Sequence, residues 1–172
     1  MQAANLGKLT FMIGGEKTTF ETFRNIFKPM GTKLIYCGEA GNGQIAKICN
    51  NLLLAITMGG LCEAFHVGKK LGLDPKILDE VINSSSGRCW SSELYTPCPE
   101  VNSDAPSSRN YKPGFMTSLL CKDLRLATEA SKRAEFELKL GKLALEIYES
   151  LSKIDDYSSL DFTALYKHME NK

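Results

Sequence analysis

The sequence predicts a mainly α fold, with a short β-α-β unit followed by an all-helical domain built on one long central helix. Three observations carry this. Two β-prone runs closed by glycines flank a stretch of helical spacing in the first forty residues. After Gly43 the apolar period shifts from about 2 to about 3.6. Beyond that point no alternating run returns. The mass of 19.0 kDa over 172 residues suits one domain, or one domain plus part of another. A chain of this length buries about 70% of the surface it exposes unfolded, enough to fold without metal or disulfide staples.

The elements follow in order. Lys8 to Ile13 is a strand closed by Gly14-Gly15, and Lys33 to Cys37 is a second strand stopped by Gly38. Between them Phe20, Phe23 and Phe27 share a helical stripe that Pro29 ends. So short a unit cannot bury both faces of its strands, and it reads as the edge of a larger sheet. From Gly43 to about Leu71 the residues Ile45, Ile48, Leu52, Ile56 and Cys62 recur at helical spacing without a proline, predicting one buried central helix. Gly59-Gly60 in its middle costs ~1 kcal/mol per glycine relative to alanine, which calls for a helix packed close at that point.

Asp74-Pro75 caps and opens a further helix running to about Asn83. Residues 84–114 carry Pro97, Pro99, Pro106, Pro113 and many serines with no period, the mark of a lid, a binding loop or a partner arm. Helices are predicted near 117–133 and 137–152. Ser158-Ser159-Leu160-Asp161 has the capping-box form and starts a short terminal helix.

Composition excludes several functions. Lys+Arg 21 against Asp+Glu 20 leaves a net charge of +1, which argues against nucleic-acid binding through bulk charge and against a basic membrane-surface role. No run of consecutive apolar residues reaches the ~18 that a membrane span needs. The first residues carry neither a secretory signal nor an Arg-rich presequence. The six cysteines form no C-x-x-C pair and only His66 and His168 accompany them, so no metal site is expected and the thiols read as reduced and intracellular.

Gly41-Asn42-Gly43-Gln44-Ile45-Ala46 fits the G-x-G-x-x-A dinucleotide pattern, with Glu63 about twenty residues on. The context fails: no second strand follows within ~30 residues, and Glu63 falls in mid-helix. Lys47 and Asn51, four residues apart, share one helix face. A lysine among apolar neighbours is disfavoured as ammonium and can trade protons near neutral pH, and an adjacent amide can hold it or a substrate oxygen in register. A lysine whose stem covers apolar surface on the first helical turns is the other reading. Lys122, Arg125, Glu129 and Lys132 form a polar face opposite Leu120, Leu124 and Ala127, by default a solvated stripe. Trp90, the single tryptophan, either walls a pocket or anchors its loop. Cys89 has no histidine beside it and is discounted as a nucleophile.

Two blocks of residues resemble a known family. Gly41-x-Gly43-x-x-x-Lys47-x-x-x-Asn51 is similar to the catalytic signature of the β-hydroxyacid dehydrogenases. Phe115, Leu119, Lys122, Asp123, Leu124, Leu126 and Ala127 resemble their cofactor-contacting block. Within the family, the runs 45–51 and 85–92 look like the branch that oxidises a methyl-branched 3-hydroxy acid in mitochondrial valine breakdown. The resemblance covers residues 7–172.

It implies that residues 1–40 are the C-terminal remnant of a Rossmann domain and 41–172 the helical dehydrogenase domain. Lys47 would be the general acid/base and Asn51 would fix substrate or lysine geometry. Lys122 and Phe115 would contact the cofactor, NAD with NADP not excluded, and Trp90 would wall the substrate pocket. The resemblance further implies a small-molecule 3-hydroxy acid as partner, a homo-oligomer, a mitochondrial matrix location, and neither nucleic acid nor membrane. About 150 upstream residues of the family pattern, with its phosphate-binding glycine turn, would be missing, so this polypeptide is expected to be inactive alone. A non-catalytic helical oligomerisation module and a reductase of tartronate semialdehyde are the competing readings.

Overall fold

The structure is a computed structural model that describes residues 2–112 and 114–170. By internal contacts the chain divides into two units, Met1–Asn50 and Asn51–Lys172. In the first, after the short α1 (Gln2–Asn5), strands β1 (Leu9–Ile13) and β2 (Gly31–Tyr36) are joined through helix α2 (Lys17–Phe27). The strands pair in parallel, Thr10 opposite Lys33 and Ile13 opposite Tyr36, with an irregularity between Leu9 and Thr10. Parallel pairing requires such a crossover connection. Helix α2 covers one face of the pair: Phe27 packs on Phe11 with ring centroids 5.0 Å apart, and Phe20 on Tyr36 at 5.2 Å. The three-phenylalanine stripe is corrected at Phe23, which is 50% exposed.

Helix α3 (Asn42–Lys70) is a single run of 29 residues. Within the second unit this central helix is buried along one face. The buried stripe is Asn51, Ala55, Met58, Cys62 and Phe65, at alternating spacings of four and three, while Leu53 and Val67 stay exposed. Ile45, on the part of α3 in the first unit, is exposed as well. Apolar residues occur around the whole circumference of this helix, so periodicity alone cannot choose the inward face. By length and composition α3 could cross a membrane. Its buried stripe instead meets Leu120 and Leu124 of α6 (Thr117–Arg133), Tyr148 and Leu151 of α7 (Leu140–Ser152), and Leu165 of α8 (Leu165–Glu170) in one core. The glycine pair is also corrected: a side chain at Gly59 or Gly60 would meet open space among the described residues, so no helix packs there.

Helix α4 (Pro75–Ser84) begins as expected, with the Asp74 carboxylate accepting from the Lys76 N–H at 2.8 Å. The segment 84–114 departs from the structureless loop. It holds a one-turn helix, α5 (Trp90–Leu94), and a 3-10 turn at Pro106–Arg109, and it buries Ser91, Ser92, Thr96, Cys98 and Ser107. Ser107 donates to the Thr96 carbonyl at 2.7 Å, one of several polar side chains that satisfy the backbone locally. Elements of one turn are too short to show a period, which is why the sequence hides them. The terminal cap is Asp161, whose carboxylate accepts from the Thr163 N–H at the start of a 3-10 turn leading into α8, and not Ser158.

All six cysteines are free thiols, and burial pushes those of Cys62, Cys98 and Cys121 up. Among the described residues no group of three His, Cys, Asp or Glu side chains could hold a metal ion.

Candidate functional site

The entry to α3 explains its glycines. A Cβ at Gly43 would collide with the Met12 carbonyl of β1, and one at Gly14 with the Glu39 carbonyl. The helix start therefore sits directly against the strand end, and Asn42 closes the turn by donating to the Cys37 carbonyl at 2.9 Å. These glycines serve close backbone packing, and α3 continues past Glu63 with no strand after it among the described residues. A pyrophosphate-binding turn needs open N–H groups at such a point.

Lys47 lies on the second turn of α3 and is exposed, as are Ile45 and Cys49. The expected apolar enclosure of its amine is not built by these neighbours.

Asn51, one turn further along the same helix, is buried at 2% exposure in the helical unit. Its amide nitrogen donates to Asp123 Oδ2 on α6 at 2.5 Å. The other oxygen of that carboxylate takes the Lys122 ammonium at 2.7 Å. Asp123 is thus held by a buried amide on one side and a 60% exposed cation on the other. The Lys122 pair, open to solvent, is worth at most ~1 kcal/mol. The Asn51 bond is worth more, because breaking it strands a shielded acceptor. Asn51→Ala is expected to cost ~1–3 kcal/mol, read from urea unfolding. Sequence reasoning treated Asp123 only as part of a matching block. A Lys-Asp pair directly across from a buried helix amide has no local pattern that would single it out.

Lys122, Arg125, Glu129 and Lys132 are all exposed, opposite buried Leu120, Leu124 and Ala127, as the spacing predicts. Arg125 is held by Glu149 of α7 at 2.7 Å, whereas Lys122 reaches only Asp123 among the ion pairs described.

Trp90 and Phe115 belong to one aromatic row. The Trp90 ring stacks on Tyr95 at 4.8 Å, and Tyr95 stacks on Phe162 at 5.7 Å. Phe115 meets Phe162 edge-on at 5.8 Å and 71°. Phe162 is fully buried and backs both branches of the row, while Trp90 keeps 49% of its surface open. The stack on Tyr95 anchors the Trp90 ring, and the half of its surface left open belongs to no pocket described. Tyr95 and Phe162 were missed, for nothing in their local sequence marks them. Burial and the Asp161 carboxylate push the Tyr95 hydroxyl up. The structure brings Asn51, Asp123 and Lys122 into one chain of contacts and Trp90 and Phe115 into another.

A chain with this fold has well-defined relatives. The family model described as NAD-binding of NADP-dependent 3-hydroxyisobutyrate dehydrogenase matches residues 41–169. The model of the NAD binding domain of 6-phosphogluconate dehydrogenase matches residues 1–38. The mitochondrial 3-hydroxyisobutyrate dehydrogenase of Homo sapiens is 45% identical over 99% of this chain, and the chain covers 50% of that protein. A probable counterpart of Arabidopsis thaliana is 43% identical over 98% of this chain, with 48% of its own length covered. The solved 3-hydroxyisobutyrate dehydrogenase of Mycobacterium tuberculosis, determined with L-serine, superposes with a TM-score of 0.91 at 38% identity, over 98% of this chain and 57% of that one. The chain spans about half the length of the curated relatives it matches. It belongs to the 3-hydroxyisobutyrate dehydrogenase family of NAD(P)-dependent hydroxy-acid oxidoreductases.

Proposed function

We propose that this chain is the C-terminal part of an enzyme that oxidises 3-hydroxyisobutyrate to methylmalonate semialdehyde with NAD(P), in mitochondrial valine breakdown, with Lys47 as general acid/base. The observation that carries the reading is Asn51, buried and bonded to Asp123 one turn beyond Lys47 on an unbroken helix. An amide fixed by a partner on α6 is a preorganised group, and a polar side chain is buried at this depth only when its bonds are made. The curated relatives support the substrate class and, through their mitochondrial names, the location.

In this reading the Lys47 amine takes the hydroxyl proton of the substrate as the carbon is oxidised, and returns it in the reverse direction. Asn51 holds the hydroxyl oxygen or the lysine in register, and Asp123 keeps the amide from rotating. The residues present fit a cofactor in part. Lys122 is a solvent-facing cation able to meet a phosphate or ribose oxygen, and Phe115, seven residues earlier, is an aromatic ring packed on Phe162. The nicotinamide supplies the hydride acceptor when bound. Because the chain spans half of its relatives, the 172 residues alone are expected to be inactive.

The test is a substrate panel on the complete enzyme. Efficiency for 3-hydroxyisobutyrate should exceed that for an unbranched short hydroxy acid by about tenfold or more, the discrimination one methyl group in an apolar pocket provides. A stronger reaction with tartronate semialdehyde in the reducing direction would move the assignment to that substrate. Equal turnover by the 172-residue chain alone would overturn the proposed dependence on the remaining half.

A further inference from the structure

Asp161 is almost fully buried, yet no step of the proposed chemistry uses it. Each of its carboxylate oxygens takes two donors. Oδ1 accepts from the Thr163 N–H at 3.0 Å and the Thr163 hydroxyl at 2.6 Å, the bonds of an ordinary N-cap. Oδ2 does something a cap does not require. It accepts from the Phe115 N–H at 2.6 Å and from the Tyr95 hydroxyl at 3.1 Å. Those donors come from positions 46 and 66 residues away in the chain.

The Phe115 backbone is held on its other side as well, its carbonyl accepting from the Phe162 N–H at 2.9 Å. The next residue, Met116, bridges to Asp161 itself. Gly114 records how close the carboxylate comes, because a Cβ there would overlap Oδ2. Tyr95 carries the constraint onward, since its ring lies between Trp90 and Phe162. One buried oxygen therefore holds two members of the aromatic row, Tyr95 by its hydroxyl and Phe115 by its backbone. Burial pushes the Asp161 carboxyl up, against the pull of its four donors.

We propose that Asp161 is a positioning residue, whose Oδ2 fixes the Phe115 backbone and the Tyr95 ring and so sets the placement of Phe115 and Trp90. The consequence for substrate fit rests on the reading above that Trp90 walls the substrate pocket and Phe115 contacts the cofactor. A terminal cap alone would need only the two Thr163 bonds. The other two span the helical unit, and low-dielectric surroundings strengthen them.

Two substitutions and two readouts test this. Asp161→Asn keeps the volume but replaces one acceptor oxygen by an NH2 group, so that donors must oppose donors at either Phe115 or Thr163. Tyr95→Phe keeps both ring stacks and removes only the hydroxyl bond. Trp90, the single tryptophan, reports on the row in the 172-residue chain without any catalysis. Acrylamide quenching of its emission should rise by about 1.5–2-fold in Asp161→Asn and by less in Tyr95→Phe, as the stacking ring is released. In the complete enzyme, KM for the hydroxy acid should rise by about tenfold in Asp161→Asn and about threefold in Tyr95→Phe, with kcat within about threefold, the signature of lost substrate fit with the proton-transfer groups intact.

Unchanged quenching in a folded Asp161→Asn chain overturns the proposal. If that variant does not fold, unchanged quenching and KM in Tyr95→Phe overturn it instead. Raised quenching with unaltered KM removes the role in substrate fit. An unsubstituted enzyme that oxidises no 3-hydroxy acid, together with raised quenching in the variants, sinks the dehydrogenase reading and leaves the positioning of the aromatic row standing.

Discussion

Lys47→Ala in the complete enzyme is expected to lower kcat by about 10²–10⁴-fold, the range supplied by a positioned proton-transfer group. KM should change little, because the lysine acts on a proton that moves only as the carbon is oxidised. Lys47→Arg separates proton transfer from simple positive charge. Arginine keeps the charge but does not release a proton in the accessible range, so it should be nearly as inactive as alanine. Because Lys47 is exposed, neither substitution should alter stability by more than about 0.5 kcal/mol, which keeps the kinetic reading clean. Retention of more than about a third of kcat in Lys47→Ala would remove the general acid/base from the mechanism.

The second large effect is structural. Phe162→Ala is expected to destabilise the helical unit by ~3–5 kcal/mol, with a drop in Tm on the order of 10 °C. Phe162 is fully buried and meets three rings, those of Tyr95, Phe115 and Tyr148, from three different parts of the unit. Truncation leaves a void that these rings cannot fill together, because Tyr95 and Phe115 are tied to the Asp161 carboxylate. Phe162→Leu should cost less, since it refills most of the volume. Trp90 emission follows this unit specifically, so the measurement does not mix in unfolding of the β-α-β unit. A loss below about 1 kcal/mol for the alanine variant would mean the row is not a packing centre.

The two units differ in how much side-chain surface they bury. In Met1–Asn50 the two-stranded sheet buries little, and α2 has no buried residue. In Asn51–Lys172 the aromatic row shares Phe162, Tyr95 and Phe115 with the core of α3, α6 and α7, and the Asn51–Asp123 bond ties α3 to α6.

Periodic elements were legible from sequence because their signal is local. The parallel β-α-β order, α3 as one uninterrupted helix, the Asp74 cap and α6 at Thr117–Arg133 all follow from spacing and turn residues within a few positions. So did the solvated face of α6. Tertiary structure alone decided which stripe of α3 turns inward, since apolar residues surround that helix and only the partners α6 and α7 select Asn51, Ala55 and Met58. It likewise decided that 84–114 is a packed segment, that Gly59-Gly60 faces open space, and that Asp161 reaches Phe115 and Tyr95. Bonds such as Asn51 to Asp123, 72 positions apart, leave no trace in any window of the chain. Hydrogen bonding depends on where two groups meet in space, whereas helix and strand formation depend mainly on neighbours along the backbone.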